Sequence, residues 1–248
     1  MEVAPEDWIN VGGRYGASLR RYTEKFPFVV HGLSLSIGSP SSLDWDLLRA
    51  IKRFISEHSI RCYSEYLSYC SDSGHLYDLM PIPFTEEAVD YVAQRIMQVQ
   101  DFLGERIAME NVSYYAAPQQ EMSEIDFLNA VLKKADCNLL LDVNNIYVNS
   151  INHHYDPYAF LAALPGERIA YAHIAGHYKE AEDLRVDTHG TNVIDPVWRL
   201  LDAAYCQFGD FPTLLERDFN IPPVDDLLAE VEQIRDCQSK HCVTSQLD

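Results

Sequence analysis

Short runs of aliphatic and β-branched residues alternate along this chain with longer stretches in which apolar side chains return every three or four positions. The short runs are Phe28-Val29-Val30, Ile60-Arg61-Cys62-Tyr63, Ile107-Ala108-Met109, Asn138-Leu139-Leu140-Leu141, Ile169-Ala170-Tyr171-Ala172 and Thr213-Leu214-Leu215. Such runs are what parallel strands covered on both faces look like. The longer stretches carry helical stripes. Leu43, Leu47, Leu48, Ile51, Phe54 and Ile55 form one within Ser42 to His58, and Ala88, Val89, Val92, Ile96, Val99 and Leu103 form another within Glu86 to Leu103. A third, Phe127, Leu128, Val131 and Leu132, lies within Ser123 to Ala135, which opens on a serine suited to cap a helix. Asp195 to Phe208 and Val224 to Ile234 complete the series. Strand followed by helix, repeated, builds a parallel sheet under a layer of helices. With no linker, low-complexity tract or short repeat, the pattern predicts one domain over residues 1–236 and a flexible tail over 237–248.

The residues that follow the apolar runs narrow the class. Val30 is followed by His31, Tyr63 by Ser64-Glu65, Met109 by Glu110-Asn111, Leu141 by Asp142-Val143-Asn144-Asn145, Ala172 by His173, and Leu215 by Glu216-Arg217-Asp218. In a TIM (β/α)8-type barrel the C-terminal strand ends converge on one mouth, where active sites sit. Acids and imidazoles gathered there would repel one another and lose their hydration unless cations neutralised them. Mixed imidazole and carboxylate donors suit zinc, manganese or iron, whereas magnesium and calcium prefer oxygen alone. Glu110, Asp142, His173 and Glu216 each end a different strand and are the first candidate ligands. Asp187-Thr188-His189 adds an acid and an imidazole two residues apart, Asn145 follows Asp142, and His31 ends the first legible run. His177, in His173-Ile174-Ala175-Gly176-His177, is expected to face substrate or support a ligand. His153 and His154 read as loop residues. Any one of the candidates alone would read as a helix cap or a satisfied histidine; the combination at successive strand ends points to metal.

Composition removes other classes. A length of 248 residues suits one barrel of this kind. A formal charge of −19 and a pI near 4.7 exclude a phosphate-backbone partner, which needs clustered Lys and Arg. No run approaches the roughly 18 apolar residues that span a bilayer, and the first residues lack the basic start of a signal peptide, so the expected location is cytoplasmic. Six cysteines with no paired CxxC motif read as reduced thiols. There is no P-loop, no GxGxxG after a strand and no GxSxG.

From about Glu2 to Ile234 the sequence resembles the multinuclear non-haem iron-dependent oxidases, a family within the xylose-isomerase-like TIM barrels. The resemblance is carried, in order, by Val30-His31-Gly32-Leu33-Ser34-Leu35-Ser36, Tyr77-Asp78-Leu79-Met80-Pro81-Ile82-Pro83-Phe84, Glu110-Asn111-Val112-Ser113-Tyr114-Tyr115, Leu141-Asp142-Val143-Asn144-Asn145, His173-Ile174-Ala175-Gly176-His177, Asp187-Thr188-His189-Gly190 and Leu215-Glu216-Arg217-Asp218. It implies two or three iron ions of mixed valence bridged by Glu110. One would be completed by Asp142, His173 and Glu216, another by Asn145, Asp187 and His189, and a third, labile one by His31. It further implies oxidation by O2 of cysteine residues in a ribosomally made precursor peptide, through loss of hydrogen from the β-carbon, to heterocycles such as thiooxazole. A separate peptide-recognition protein would deliver the leader segment.

Two features depart from the family pattern. Where relatives read Ser-Glu-His-Leu, this chain reads Ser64-Glu65-Tyr66-Leu67, so the labile site is expected to be underoccupied. The family also begins some tens of residues earlier, so the barrel is expected to lack its first strand here. The rival readings are a divalent-metal isomerase or hydrolase acting on a sugar or phosphoester, and an inactive metal-binding remnant.

Overall fold

The computed structural model describes residues 1–72, 74–117 and 119–242, which divide into two units, Met1–Leu139 and Leu140–Asp248. In the first, strands β1 (Glu2–Val3), β2 (Val29–Gly32) and β3 (Tyr63–Tyr66) are parallel neighbours. A hairpin of β4 (Ser68–Ser71) and β5 (His75–Pro81) follows β3 and pairs antiparallel. Strand β6 (Ala108–Glu110) then lies parallel to β3, with Ser64 opposite Ala108 and Tyr66 opposite Glu110. Val30, Tyr63, Ala108 and Met109 are sealed from solvent, as the near-continuous apolar runs require.

Between these strands run α1 (Gly13–Thr23), α2 (Trp45–His58), α3 (Glu86–Leu103) and α4 (Glu124–Ala135). Asp44 starts α2 by accepting from Asp46 N and Leu47 N, both at 2.9 Å, and the helix buries Leu48, Ile51 and Phe54. Thr85 caps α3 through Ala88 N, and Gly104 ends it at φ +87, a conformation that costs glycine nothing. Ser123 caps α4 as expected. Buried Arg95 of α3 donates to Ile37 O and Ser41 O, both at 2.7 Å, and so fixes the loop that leaves β2.

The second unit takes most of β7 (Asn138–Asp142), with β8 (Ile169–Ile174) next to it and β11 (Thr213–Leu215) parallel to β8. Its helices are α5 (Val143–His153), α6 (Pro157–Ala162), α7 (Asp195–Phe208) and α8 (Val224–Cys242). An antiparallel hairpin of β9 (Tyr178–Ala181) and β10 (Leu184–Val186) follows β8. Among the described residues the main-sheet strands number seven, against eight in the full (β/α)8 pattern.

Three differences from the sequence reading have physical causes. Five of the six strands, all but β11, run one to three residues further than their apolar runs, so that His31, Glu65, Glu110, Asp142 and His173 are strand residues. Helix α8 continues to Cys242, past the expected end of regular structure at Ile234: Cys237 is buried and Gln238 Nε2 donates to Phe211 O at 2.9 Å. Helices α1, α5 and α6 and both hairpins carried no clear apolar period. Residues 243–248 of the expected tail lie outside the described residues, as does the Tyr77 side chain of the second motif. No helix among the described residues is long and apolar enough to cross a membrane. Among the described residues Cys62, Cys70, Cys137, Cys206 and Cys237 form no disulfide.

Candidate metal centre

In the first unit, β2 places His31 between Val30 and Gly32 with its ring buried. Its Nδ1 lies 2.7 Å from Ser64 Oγ, and its Nε2 lies 2.8 Å from Glu110 Oε2. A proton or a cation has to sit between a ring nitrogen and a carboxylate oxygen so spaced. Tyr66, opposite Glu110 in the sheet, turns the edge of its ring to His31 with centroids 4.3 Å apart. One strand position away, Glu65 is fully buried and accepts from the Tyr63 hydroxyl. Burial, and then the charge of Glu6, push its carboxyl up to about 8. Gly32 leaves the room: a Cβ there would collide with Glu65 Oε1.

The second unit is denser in charge. Asp142 ends β7 and caps α5, with Oδ1 accepting from Asn145 N at 2.6 Å. Its Oδ2 is 3.9 Å from His173 Nδ1, and neither side chain has any solvent exposure. His173 Nδ1 is also 3.1 Å from Glu216 Oε2, which stands 3.5 Å from His189 Nδ1. His189 completes its contacts with Asp187 Oδ1 at 2.8 Å from Nε2 and Asp218 Oδ2 at 3.1 Å from Nδ1. Burial alone would lower the His189 pKa, but the bonds to Asp187 and Asp218 outweigh it and push the ring up to about 12. Its backbone holds φ +50, unusual for a non-glycine residue, while His189 O accepts from Asp218 N at 3.2 Å. His177 is buried, with Nδ1 2.7 Å from Asn144 Oδ1.

These residues fit a transition-metal ion. Asp142, His189 and Glu216 offer ligand atoms that all lie within 4.8 Å of one another. Four carboxylates, Asp142, Asp187, Glu216 and Asp218, surround two imidazoles, His173 and His189, so full protonation of both rings would still leave net negative charge. A cation with affinity for both nitrogen and oxygen offsets that imbalance.

The structure thus brings Asp142, His173, Asp187, His189 and Glu216 together in one unit and His31 with Glu110 in the other. Asn145 is buried beside Asp142 and donates to it through its backbone. His153 is the last residue of α5 rather than a loop residue, while His154 lies in the turn that follows, at φ +59. Three participants were not singled out from sequence. Asp218 repeats the alternation of Glu216 past the strand end, which was a usable signal. Glu65 stood in the quoted strand-end run. Asn144 had no signal beyond its place beside Asn145.

Likeness to solved structures supplies the fold. Endonuclease IV from Thermus thermophilus superposes with a TM-score of 0.61 at 14% identity, over 96% of this chain and 88% of that one. D-psicose 3-epimerase from Clostridium cellulolyticum gives 0.58 at 12%, over 96% and 85%. The IolI protein, solved with a bound zinc atom, gives 0.55 at 13%, over 98% and 86%. At such identities the likeness shows the TIM-barrel fold and nothing of the reaction. Among sequences, a UPF0276 protein from Alcanivorax borkumensis is 66% identical over 94% of this chain and 80% of its own length. Another from Shewanella loihica is 64% identical over 97% and 86%. The family described as RiPP precursor modification enzyme MbnB/TglH/ChrH matches residues 1–239, and the chain belongs to it.

Proposed function

We propose that this protein is an iron- and O2-dependent oxidase that modifies cysteine residues of a ribosomally synthesised precursor peptide. Membership in a family of RiPP precursor modification enzymes supports the substrate class. The observation that carries the metal is the shared Glu216 carboxylate, with His173 on one side and His189 on the other. The proposed ligands are Glu110, Asp142, His173 and Glu216, with Asn145, Asp187 and His189 for a second ion and His31 for a labile third. Two or three irons of mixed valence would occupy them; zinc and manganese suit the same donors.

Bound metal would acidify the substrate thiol and supply the redox chemistry. The chain's own groups hold that arrangement still. Asp142 is tied down by Asn145 N, so its second oxygen keeps one orientation. His189 meets a carboxylate at each ring nitrogen, Asp187 at Nε2 and Asp218 at Nδ1; the nitrogen that took an ion would give up its hydrogen bond, and the other would keep the ring oriented. Burial of Asp142 and His173 excludes water from the floor of the site, which strengthens every charge interaction there. Closing and aromatising a thiooxazole removes about four hydrogens from the peptide, and one O2 accepts them as two waters.

Metal analysis and Mössbauer spectroscopy of anaerobically purified protein test the iron. Mass spectrometry of a precursor peptide incubated in air with the iron-loaded protein and a peptide-recognition partner tests the reaction, with a loss of about four hydrogens expected for a thiooxazole. Iron-loaded protein that leaves neighbouring-gene peptides unmodified would favour the sugar or phosphoester alternative or the inactive metal-binding remnant.

A further inference from the structure

Asn144 lies in the first turn of α5, fully buried, and stands between two of the candidate site residues. Its Nδ2 is 2.9 Å from Asp187 Oδ1 and its Oδ1 is 2.7 Å from His177 Nδ1. The chemistry of the two ends fixes the direction of both bonds. The amide NH2 donates to Asp187 Oδ1, a carboxylate oxygen that accepts. The amide oxygen then faces the imidazole, and it can only accept, so His177 Nδ1 carries the hydrogen. A neutral ring protonated at Nδ1 has its lone pair at Nε2.

Other observations agree on a neutral ring with that lone pair to offer. Burial, and then the charge of Arg185, hold the His177 pKa down at about 4. Tyr147 lies against the ring with centroids 5.3 Å apart, and among the described residues the ring's one hydrogen bond is that of Nδ1 to Asn144. His177 as a residue is 6% exposed, and Gly176 before it packs so closely on the Thr191 and Asn192 carbonyls that a Cβ would collide with both. A ring so weakly basic is poorly matched to removing a proton at neutral pH, where an effective base titrates near 7. It is well matched to receiving a hydrogen bond.

We infer that Asn144 is a positioning residue that locks His177 as the Nδ1–H tautomer and so presents Nε2 as a fixed hydrogen-bond acceptor to a backbone N–H of the peptide substrate. Without the lock the ring would divide between two tautomers, one of which offers a donor where the peptide N–H needs an acceptor. The identity of the donor rests on the proposed function; the tautomer does not.

The test is 1H–15N correlation spectroscopy of the full chain labelled with 15N-histidine and loaded with zinc, which avoids paramagnetic broadening. The His177→Gln spectrum assigns the signal. A neutral ring with hydrogen on Nδ1 is expected in the native protein, a tautomer mixture in Asn144→Leu, and recovery of the Nδ1–H form in Asn144→Asp, which keeps an acceptor facing the ring. Calorimetric titration with the cysteine-containing precursor peptide should show Asn144→Leu weakening binding by the factor to which the Nδ1–H form is diluted, about two- to fivefold for a ring divided between the two tautomers, with Asn144→Asp closer to native. Hydrogen on Nε2 in the native protein would overturn the lock whether or not the leucine variant folds, as would an unchanged signal in a folded Asn144→Leu. Equal peptide affinity in native protein and Asn144→Leu would overturn the acceptor role. A peptide that binds with this pattern and is never oxidised would sink the oxidase reading and leave the inference standing.

Discussion

The strand ends of the two units solve the same problem at different charge densities. In the first, the imidazole of His31 meets the Glu110 carboxylate, the Ser64 hydroxyl and the edge of the Tyr66 ring. That pair can satisfy itself with a proton. In the second, Glu216 is shared by two imidazoles while Asp142, Asp187 and Asp218 crowd the same rings. Protons alone cannot balance that set, because acids outnumber imidazoles. The contrast teaches that metal dependence should be strong in the second unit and weak in the first, even though both present histidine and carboxylate at strand ends.

The largest effect should come from removing charge where it is dense. Asp187→Ala and His189→Ala should abolish peptide modification while far-ultraviolet circular dichroism stays native, since both are site residues rather than core packing. Retained modification in either variant would erase the distinction between the units. Next, Glu216→Ala and Asp142→Ala should each lose at least one metal equivalent by elemental analysis. Their melting temperature should fall by about 5–10 °C, because an ion held at 100 times its dissociation constant stabilises by about 2.7 kcal/mol and each kcal/mol is about 2–4 °C for a chain this long. Metal content equal to native in both would refute the assignment.

A smaller effect sharpens the sparse side. Tyr66→His should raise metal stoichiometry towards three, because a neutral imidazole binds without first giving up a proton and a phenol does not. An unchanged count in a folded variant would count against a third site there.

The last concerns Glu65 in protein stripped of metal. Its folded-state pKa, raised from 4.5 to about 8, means that the folded state favours the neutral carboxyl. The associated stability is fully present below about pH 4.5 and is lost as pH rises through about 8, at up to about 1.4 kcal/mol per unit. Glu65→Gln should therefore match native stability near pH 4 and gain on it by pH 9. Denaturation curves that stay parallel over that range would show that Glu65 ionises freely in the fold.

The strand interiors were legible because a parallel strand covered on both faces must be apolar throughout. Leu139, Leu140 and Leu141 announce β7 without help from neighbours. The strand ends were legible as chemistry but displaced as structure, since polar residues such as His173 and Asp142 continue the strand and no apolar signal marks that continuation. Helix α5 was hidden for a related reason. It buries Asn144, Asn145, Asn149 and Ser150 along with Val143, Ile146 and Val148, so tertiary hydrogen bonding replaces the apolar stripe that betrays a helix. The hairpins escaped because short solvated strands such as Tyr178–Ala181 read as loop. The acids and imidazoles stood out all the same, because such a cluster is improbable whatever element carries it.

The β9–β10 hairpin also bears on self-association. Bare sheet edges recruit other chains. Here the Asn152 side chain bonds both the amide and the carbonyl of Arg185 in β10, at 2.7 and 2.9 Å, as a neighbouring strand would. One amide group thus acts as a single-residue strand: it seals the outer edge of β10 at that point against pairing with another copy and directs any strand addition to the solvated β9 side.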